Sequence, residues 1–155
     1  MASIARMSTA DLPPSRTHVV LVYSDDAAVR DQVRNAVGRQ PAPDLGRIEW
    51  VECATGPELL RQVDAGGVDV AVLDGEAWPT GGLGLAKQLK DELLDCPHTV
   101  VLIARRVDGW LARWSQADAV VPHPIDPGEL TAAVAGLLRA RESALPVRRS
   151  APVGR

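Results

Sequence analysis

Residues 68–79 read V68-D-V-A-V-L-D-G-E-A-W-P79, and this stretch decides the fold. The apolar run from Val70 to Leu73 has the length and β-branched composition of a strand that is buried on both faces. The run ends at Asp74, which a glycine and a glutamate follow. Because aspartate is common where a strand gives way to a loop, the position of Asp74 alone does not separate a structural role from a functional one.

The composition describes one globular domain. The chain has 155 residues, of which 46% are hydrophobic and 24% are charged, and its formal net charge is −3. A slightly acidic chain is not typical of a nucleic-acid binder, and no apolar stretch approaches the roughly 20 residues that span a bilayer. Two cysteines do not form a disulfide framework. We therefore expect a cytoplasmic protein that contacts neither nucleic acid nor membrane.

Both ends of the chain differ from its middle. Residues 1–16 and 143–155 carry Pro, Ser and Arg and show no hydrophobic period. The sequence predicts a flexible N-terminal tail over residues 1–16, one folded domain over residues 17–142, and a flexible basic C-terminal tail over residues 143–155.

Strand and helix patterns alternate through the middle of the chain. Apolar runs rich in β-branched residues predict strands at 18–23, 47–52, 70–73, 99–103 and 119–121. Helical patterns follow each run, and two of them begin at the capping residues Thr55 and Asp126. Five strands that alternate with five helices predict an α/β fold with a parallel sheet and helices on both of its faces.

Acidic residues follow two of the predicted strands. Ser24, Asp25 and Asp26 come directly after the first strand, and Asp74 closes the third. Ligands of open parallel sheets bind beyond the carboxyl ends of the strands, where the strand order reverses. We therefore expect Asp25 and Asp74 to lie side by side in one acidic depression. Asp26 has the alternative role of capping the helix that follows.

Five segments resemble, in order, the landmarks of the response-regulator receiver domain, the module of bacterial two-component signalling. They are V-L-V-Y-S-D-D-A-A-V-R (20–30), V-A-V-L-D (70–74), G-G-L-G-L (81–85), V-V-L-I-A (100–104) and V-P-H-P-I-D-P-G-E-L (121–130). The resemblance covers residues 17–141. It implies a flavodoxin-like (βα)5 fold, a doubly wound five-stranded parallel sheet in the order 2-1-3-4-5.

The resemblance implies phosphorelay chemistry, in which a histidine kinase transfers a phosphoryl group to Asp74. It makes Asp25, Asp74 and the backbone carbonyl of Glu76 ligands of Mg²⁺, a hard cation that takes oxygen ligands. Catalysis of such a transfer is mostly positioning and electrostatics. The chain is then a phosphoprotein and not an enzyme, beyond the transfer of a phosphoryl group onto its own Asp74.

Several positions depart from the family pattern. Ser24 replaces the first acid of the usual pair and reaches the metal only through a bound water, so we expect weak Mg²⁺ binding. Ile103 replaces the switch Ser/Thr and removes its hydroxyl, and Val120 replaces the aromatic switch partner. His123 replaces the lysine that pairs with the phosphoryl group, and as a residue that is mostly neutral at pH 7 it is a partial substitute. The pattern also implies a cis peptide bond before Pro124.

The loop after Asp74 also departs from the family pattern. Trp78 takes the place of the family's proline, which falls one residue later at Pro79, so the sequence predicts an altered loop. Glu76 and Arg105 occupy two variable positions that flank the site. We expect them to form an ion pair across its mouth.

Trp110 and Trp114 lie one helical turn apart on the predicted fourth helix. Such a pair is most often a packing feature. The fourth helix, fifth strand and fifth helix are, however, the usual partner or dimer face of the family, where an exposed pair would form a binding hot spot. His18 and His98 stand at the starts of strands and are predicted to be structural.

Three functions remain open. The first is an atypical stand-alone receiver that accepts phosphate on Asp74 and acts on a partner in trans. The second is a phosphorylation-independent pseudo-receiver, an interaction module or adaptor, which the substitutions at Ser24, Ile103, Val120 and His123 favour. The third is a flavodoxin-like enzyme or cofactor binder, which lacks support because S-D-D-A-A-V offers no phosphate-binding loop and no G-x-G-x-x-G motif is present.

Overall fold

The computed structural model describes the backbone of residues 17–153 and the side chains of residues 17–144. The predicted N-terminal tail, residues 1–16, lies outside the described residues. The strands are β1 (His18–Tyr23), β2 (Ile48–Cys53), β3 (Val70–Asp74), β4 (His98–Ile103) and β5 (Ala119–Pro122). The helices are α1 (Ala27–Val37), α2 (Gly56–Asp64), α3 (Gly82–Glu92), α4 (Gly109–Ser115), which follows a 3-10 turn at Arg106–Asp108, and α5 (Pro127–Val153).

The five strands form one parallel sheet in the order β2-β1-β3-β4-β5, which confirms the predicted flavodoxin-like fold. The order reverses at β1, because the chain moves first to β2 on one side and then to β3 on the other. The register sets Tyr23 of β1 beside Leu73 of β3, and Asp74 beside Leu102 of β4. The carboxyl ends of β1 and β3 therefore lie next to each other.

Alternate residues of β3 face two separate apolar cores. Val70 and Val72 pack in a core with α1 and α5, whereas Ala71 and Leu73 pack on the opposite face with α2 and α3. Every residue of the strand is buried, so helices cover both faces of the sheet. A strand without a solvent face explains the unbroken apolar run in the sequence.

Side-chain caps predicted from the sequence fix where α2 and α5 begin. Thr55 accepts a hydrogen bond from the N–H of Glu58 at 3.2 Å, and the Glu58 carboxylate accepts one from the N–H of Ala54 at 2.9 Å, which confirms the predicted capping pair. Asp126 accepts a hydrogen bond from the N–H of Glu129 at 2.8 Å. Caps of this kind stabilise a helix start by about 1 kcal/mol each.

The last helix is longer than the sequence predicts. Its buried stripe of Leu130, Val134 and Leu138 follows the predicted period. The backbone then stays helical to Val153, where the sequence predicted a flexible tail from residue 143 onward. The division into a domain over residues 17–142 and two tails stays a prediction. No helix within residues 17–153 is both long and apolar enough to cross a bilayer.

Candidate functional site

The carboxyl ends of β1 and β3 open into an acidic depression of about 450 Å³. The predicted meeting of Asp25 and Asp74 is confirmed, because both acids line it. The parallel pairing of β1 with β3 brings the two acids together. The lining comes from the ends of β1, β3, β4 and β5 and the first turn of α1, and consists of Asp25, Asp26, Val29, Asp74, Glu76, Ala104 and His123.

Asp74 is buried, with 3% of its surface exposed. Its Oδ2 accepts a hydrogen bond from the hydroxyl of Ser24 at 2.7 Å, and its Oδ1 accepts one from the backbone N–H of Glu76 at 2.9 Å. Neither donor carries a formal charge, so these contacts solvate the carboxylate without neutralising it. They also fix the orientation of a side chain that lines the depression.

Ser24 is fully buried and uses its hydroxyl twice. The Oγ donates to Asp74 and accepts a hydrogen bond from the N–H of Asp26 at 3.1 Å. The Ser24 carbonyl accepts a hydrogen bond from Arg30 Nη1 at 2.6 Å, and Arg30 Nε donates to Glu52 of β2 at 3.0 Å. Ser24 thus holds Asp74 directly, and its predicted bond to a metal-bound water stays a prediction.

The loop over residues 75–81 folds back over the end of β1. The buried phenol of Tyr23 donates to the carbonyl of Thr80 at 2.5 Å, and the N–H of Trp78 donates to Asp25 Oδ1 at 3.2 Å. The indole of Trp78 itself is 76% exposed. Sequence reasoning missed Tyr23, although a tyrosine at the end of a buried strand signals a hydroxyl that needs a partner.

Two glycines let this loop lie against neighbouring main chain. A Cβ on Gly75 would stand 2.5 Å from the carbonyl oxygen of Leu102, and a Cβ on Gly82 would stand 2.8 Å from the carbonyl oxygen of Asp74. Both obstacles are backbone atoms, which cannot turn away as a flexible side chain can. The main chain around Asp74 is therefore packed with no room for a further side chain at either position.

His123 lies at the edge of the depression, with its Nε2 at 3.8 Å from Asp74 Oδ1. That distance is within ion-pair range and beyond hydrogen-bond range, so a protonated imidazole attracts the carboxylate without a hydrogen bond to it. The predicted cis peptide bond between His123 and Pro124 is confirmed, and the Trp78–Pro79 bond is cis as well. The position of His123 beside Asp74 is what its predicted role as a phosphate partner requires.

The position predicted for the switch residue is apolar and turned into the core. Ile103 is buried in the cluster that contains Leu73, and Val120 packs against the same cluster. Ala104, one residue later, is the residue of this segment that lines the depression, and sequence reasoning missed it. Neither Ile103 nor Ala104 supplies the hydroxyl that the family pattern places here.

Two predictions for charged residues at the mouth of the depression have different outcomes. Asp26 accepts a hydrogen bond from the N–H of Ala28 at 2.9 Å, which confirms that it caps α1. The predicted ion pair between Glu76 and Arg105 is wrong: within residues 17–144 no ion pair joins them, and Arg105 Nη2 lies 3.3 Å from Asp108 Oδ1. Asp108 stands three residues further along the same turn, so it reaches the guanidinium without spanning the mouth.

Four acids line the depression, and Asp25 and Asp74 are the two whose carboxylates the family resemblance makes ligands of a cation. Asp25 and Asp74 are oxygen donors of the kind that Mg²⁺ prefers, and Mg²⁺ is commonly bound through one or two carboxylates with water completing its shell. Within the described side chains, no group of three or more His, Cys, Asp or Glu residues is arranged to hold a metal ion. The type of donor therefore fits the cation, and the weak Mg²⁺ binding expected from a serine at position 24 stays a prediction.

The negative charge of the two acids reaches the neighbouring phenol. Burial raises the pKa of Tyr23, and the carboxylates of Asp25 and Asp74 raise it further. Tyr23 therefore stays a neutral hydrogen-bond donor throughout the physiological pH range. Its bond to Thr80 therefore persists across that pH range.

Helix α4 carries its two tryptophans on the outside. Trp110 and Trp114 are 60% and 54% exposed, and Val107 in the preceding turn is exposed as well. The spacing of four residues places the two tryptophans on one side of the helix. The tryptophan pair is therefore exposed at the surface and is not a packing feature of the core.

The two remaining histidines lie at the opposite edge of the sheet. His18 is buried, with its Nε2 at 3.3 Å from Glu142 Oε2 of α5. His98 Nδ1 lies 3.6 Å from Asp118 Oδ2. Both begin strands away from the depression, as predicted for structural residues.

Similar proteins are found both among sequences and among solved structures. Two uncharacterized response regulatory proteins of Mycobacterium tuberculosis are 55% identical over 130 residues, which cover 83% of this chain and 98% of each relative. No protein-family profile matches the chain. The receiver domain of a Francisella response regulator has a TM-score of 0.68 at 21% identity, over 79% of this chain and 98% of that one. A CheY-like receiver domain protein of Methanospirillum hungatei has a TM-score of 0.64 at 18% identity, over 83% and 99%.

Proposed function

The chain belongs to the response regulators of two-component signalling, and within that family we propose that it is an atypical, cytoplasmic stand-alone receiver whose Asp74 accepts a phosphoryl group from a histidine kinase. The observation that carries the proposal is the depression that Asp74 shares with Asp25, with His123 Nε2 at 3.8 Å from the Asp74 carboxylate. Output is a contact with a second protein in trans. Receivers are generally signalling domains and not enzymes, and transfer onto Asp74 is the reaction proposed here.

The transfer proceeds by attack of one Asp74 oxygen on the phosphorus of a phosphohistidine. The new O–P bond forms as the N–P bond of the donor breaks, and the imidazole of the kinase leaves with that electron pair. Both oxygens accept a hydrogen bond, Oδ2 from the Ser24 hydroxyl and Oδ1 from the Glu76 N–H. We assign the attack to Oδ1, because it lies 3.8 Å from His123 Nε2. The phosphoryl group brings negative charge beside His123, and a protonated imidazole there offsets that charge.

Asp25, Asp74 and the backbone carbonyl of Glu76 are the groups proposed to hold Mg²⁺. When bound, Mg²⁺ supplies positive charge that offsets the charges of the carboxylate and of the phosphoryl group. Ser24 adds no charge to this set, and its hydroxyl is already bonded to Asp74. We therefore expect Mg²⁺ to bind weakly and phosphorylation to be slow.

Incubation with acetyl phosphate and Mg²⁺, followed by intact-protein mass spectrometry, tests the proposal. We expect the wild type to gain one phosphoryl group slowly and Asp74→Asn protein to gain none. The matched control is Asp64→Asn, which changes an exposed acid at the end of α2 and should label as the wild type does. Equal labelling of the wild type and of Asp74→Asn protein would rule out Asp74 as the acceptor.

A second function, a phosphorylation-independent interaction module or adaptor, is favoured by a different observation. The Ser24 hydroxyl ties Asp74 at 2.7 Å, and the switch position is the buried Ile103, so two parts of the usual relay are altered. The variant Ile103→Thr with His123→Lys separates the two functions. A receiver limited by these positions labels faster in the double variant, whereas an adaptor leaves both proteins unlabelled and unresponsive to beryllofluoride.

Output through a protein contact needs an exposed surface, and we propose the face of α4, β5 and α5, with Trp110 and Trp114 as its anchors. Exposed tryptophans are over-represented among residues that dominate binding energy. The same face is the proposed contact of a homodimer. Light scattering of the wild type and of Trp110→Ala protein tests the homodimer: a dimer that the substitution dissociates supports it, and a monomeric wild type excludes it.

A further inference from the structure

The loop over residues 75–81 is firmly held at both ends. At its start, the N–H of Gly75 donates to the carbonyl of Leu102 at 2.8 Å. Near its end, the carbonyl of Thr80 accepts the phenol of Tyr23 at 2.5 Å, and that phenol is buried. A short hydrogen bond from a buried donor is costly to break, because the phenol would be left without a partner.

Between these ends, the N–H groups of Glu76 and Ala77 donate to Asp74 at 2.9 Å and 3.2 Å. The middle of the loop, at Trp78, is held by one exposed contact to the site. The N–H of Trp78 donates to Asp25 Oδ1 at 3.2 Å, which is at the long end of the range for N–H···O bonds. Asp25 and Trp78 are both exposed, so water can replace this bond at little cost. The loop can therefore lose its central contact while both of its ends stay in place.

Asp25 is also one of the two carboxylates proposed to hold Mg²⁺, so one side chain has two uses. A cation shared by Asp25 and Asp74 draws electron density from the carboxylate and makes it a poorer acceptor for the Trp78 N–H. By linkage, the N–H must weaken cation binding by the same factor by which the cation weakens the N–H bond. The contact seen in the structure is thus a competitor of the cation.

We propose that the backbone N–H of Trp78 and a divalent cation compete for the carboxylate of Asp25, so that cation binding releases the middle of the loop while Tyr23 keeps its end in place. Tyr23 is in this scheme a positioning residue, because it touches Thr80 and not the reacting atoms. The inference rests on the proposed function only in that it takes Asp25 as a cation ligand. Release moves the exposed Trp78 at the mouth of the depression, where a kinase or partner would contact it.

Amide hydrogen exchange, measured by NMR on the full chain with and without saturating Mg²⁺, tests the competition. We expect the exchange rate of the Trp78 N–H to rise by about threefold to tenfold with Mg²⁺, the effect of losing one ordinary hydrogen bond. The N–H of Gly75, which donates to Leu102, serves as the internal reference and should not change. Mn²⁺ is added separately, because its paramagnetism broadens resonances near any bound cation and so reports binding directly.

Two variants separate the parts of the scheme. The Asp25→Asn variant keeps an oxygen that accepts the Trp78 N–H and loses the charge that a cation needs. Exchange of the Trp78 N–H should therefore stay slow and should no longer respond to Mg²⁺. Tyr23→Phe removes only the hydroxyl that holds Thr80, so Trp78 exchange should rise without Mg²⁺ and Mg²⁺ should bind about threefold more tightly. Asp64→Asn is the control that should behave as the wild type.

The possible outcomes distinguish this inference from the proposed function. Broadening by Mn²⁺ around Asp74 and His123 with an unchanged Trp78 exchange rate overturns the competition and leaves the cation site intact. Absence of broadening overturns both the competition and the cation site. A Tyr23→Phe protein with wild-type exchange at Trp78 removes Tyr23 from the scheme, and with it the proposal as stated.

Discussion

Acids at the two ends of the strands lie beside different kinds of partner. At the amino edge, where the strands begin, acids lie beside basic side chains of the same chain. Arg141 Nε lies 3.6 Å from Asp69 Oδ1, and Lys90 Nζ lies 2.9 Å from Asp118 Oδ2. Glu142 in the same way faces a buried histidine.

At the carboxyl edge, where the strands end, the two acids Asp25 and Asp74 of the depression lie beside neutral donors. Asp25 accepts a backbone N–H, and Asp74 accepts a backbone N–H and a hydroxyl. In the part of the chain whose side chains are described, the ion-pair partner of Asp74 is His123, at 3.8 Å. The charge of these two acids is thus solvated by the protein and left largely uncompensated.

The difference separates acids that serve the fold from the two acids for which a functional role is proposed. A buried charge is costly unless it is paired, so an acid that serves the fold is placed beside a cation. An acid that must receive a cation or a phosphoryl group from outside cannot have its charge cancelled in advance. Partner type therefore distinguishes the two roles more sharply than burial does, because Asp69 and Asp74 are both 3% exposed.

The largest effect is expected from Asp69→Ala, which breaks the amino edge. Asp69 Oδ2 accepts a hydrogen bond from the N–H of Val19 at 2.9 Å, and Oδ1 faces Arg141. Removing the carboxylate leaves a half-buried guanidinium and a backbone N–H without this partner, so we expect the free energy of unfolding to fall by about 3 kcal/mol. Urea denaturation followed by circular dichroism measures it, and a loss below about 1 kcal/mol would contradict the structural role.

A smaller effect is expected when acid pH weakens the same edge. Burial works to raise the pKa of Asp118, but hydrogen bonds from Lys90 and from the N–H of Thr99, with the charges of Lys90 and His98, bring the pKa below its usual range. A lowered folded-state pKa adds stability above the unfolded value of about 3.9, and that stability is lost as the pH falls through the folded value. As the pH is lowered below about 4, the urea midpoint of the wild type should therefore decrease more steeply than that of Asp118→Asn protein.

The smallest effect is expected at the carboxyl edge. Asp74→Asn removes one of the negative charges that line the depression and keeps an oxygen that accepts the N–H of Glu76. The free energy of unfolding should therefore change by less than about 1 kcal/mol, in the stabilising direction. The measurement is the same urea titration, at low ionic strength, where the repulsion is least screened. A loss as large as that of Asp69→Ala protein would mean that Asp74 serves the fold, and the contrast between the edges would disappear.

Much of the fold follows from the sequence because its signals are local. The apolar run 70–73 gives a strand that is buried on both faces, and the pairs Thr55 with Glu58 and Asp126 with Glu129 mark two helix starts. Parallel topology then implies that Asp25 and Asp74 meet, since both follow strands that lie side by side. The end of the last helix was not predicted, because Pro and Ser in residues 143–153 argue against a helix that the backbone nevertheless forms.

The details of the site could not be predicted to the same degree, because they depend on which way each side chain turns. The sequence does not show that the Ser24 hydroxyl points at Asp74, or that the Tyr23 phenol reaches the loop. The ion pair predicted between Glu76 and Arg105 failed for a related reason, since a position that flanks the site does not fix where a long side chain goes. The guanidinium of Arg105 instead pairs with Asp108 in the same turn.

Gly75 and Gly82 set the direction in which anything attached to Asp74 can extend. A Cβ would stand 2.5 Å from a carbonyl oxygen at Gly75 and 2.8 Å from one at Gly82, so the main chain on that side has no room for further atoms. Atoms added to the carboxylate must project through the opening bordered by Glu76, Ala104 and His123. A modified Asp74 would therefore alter the outline that the protein presents to other molecules, and would leave the packing of its interior as it is.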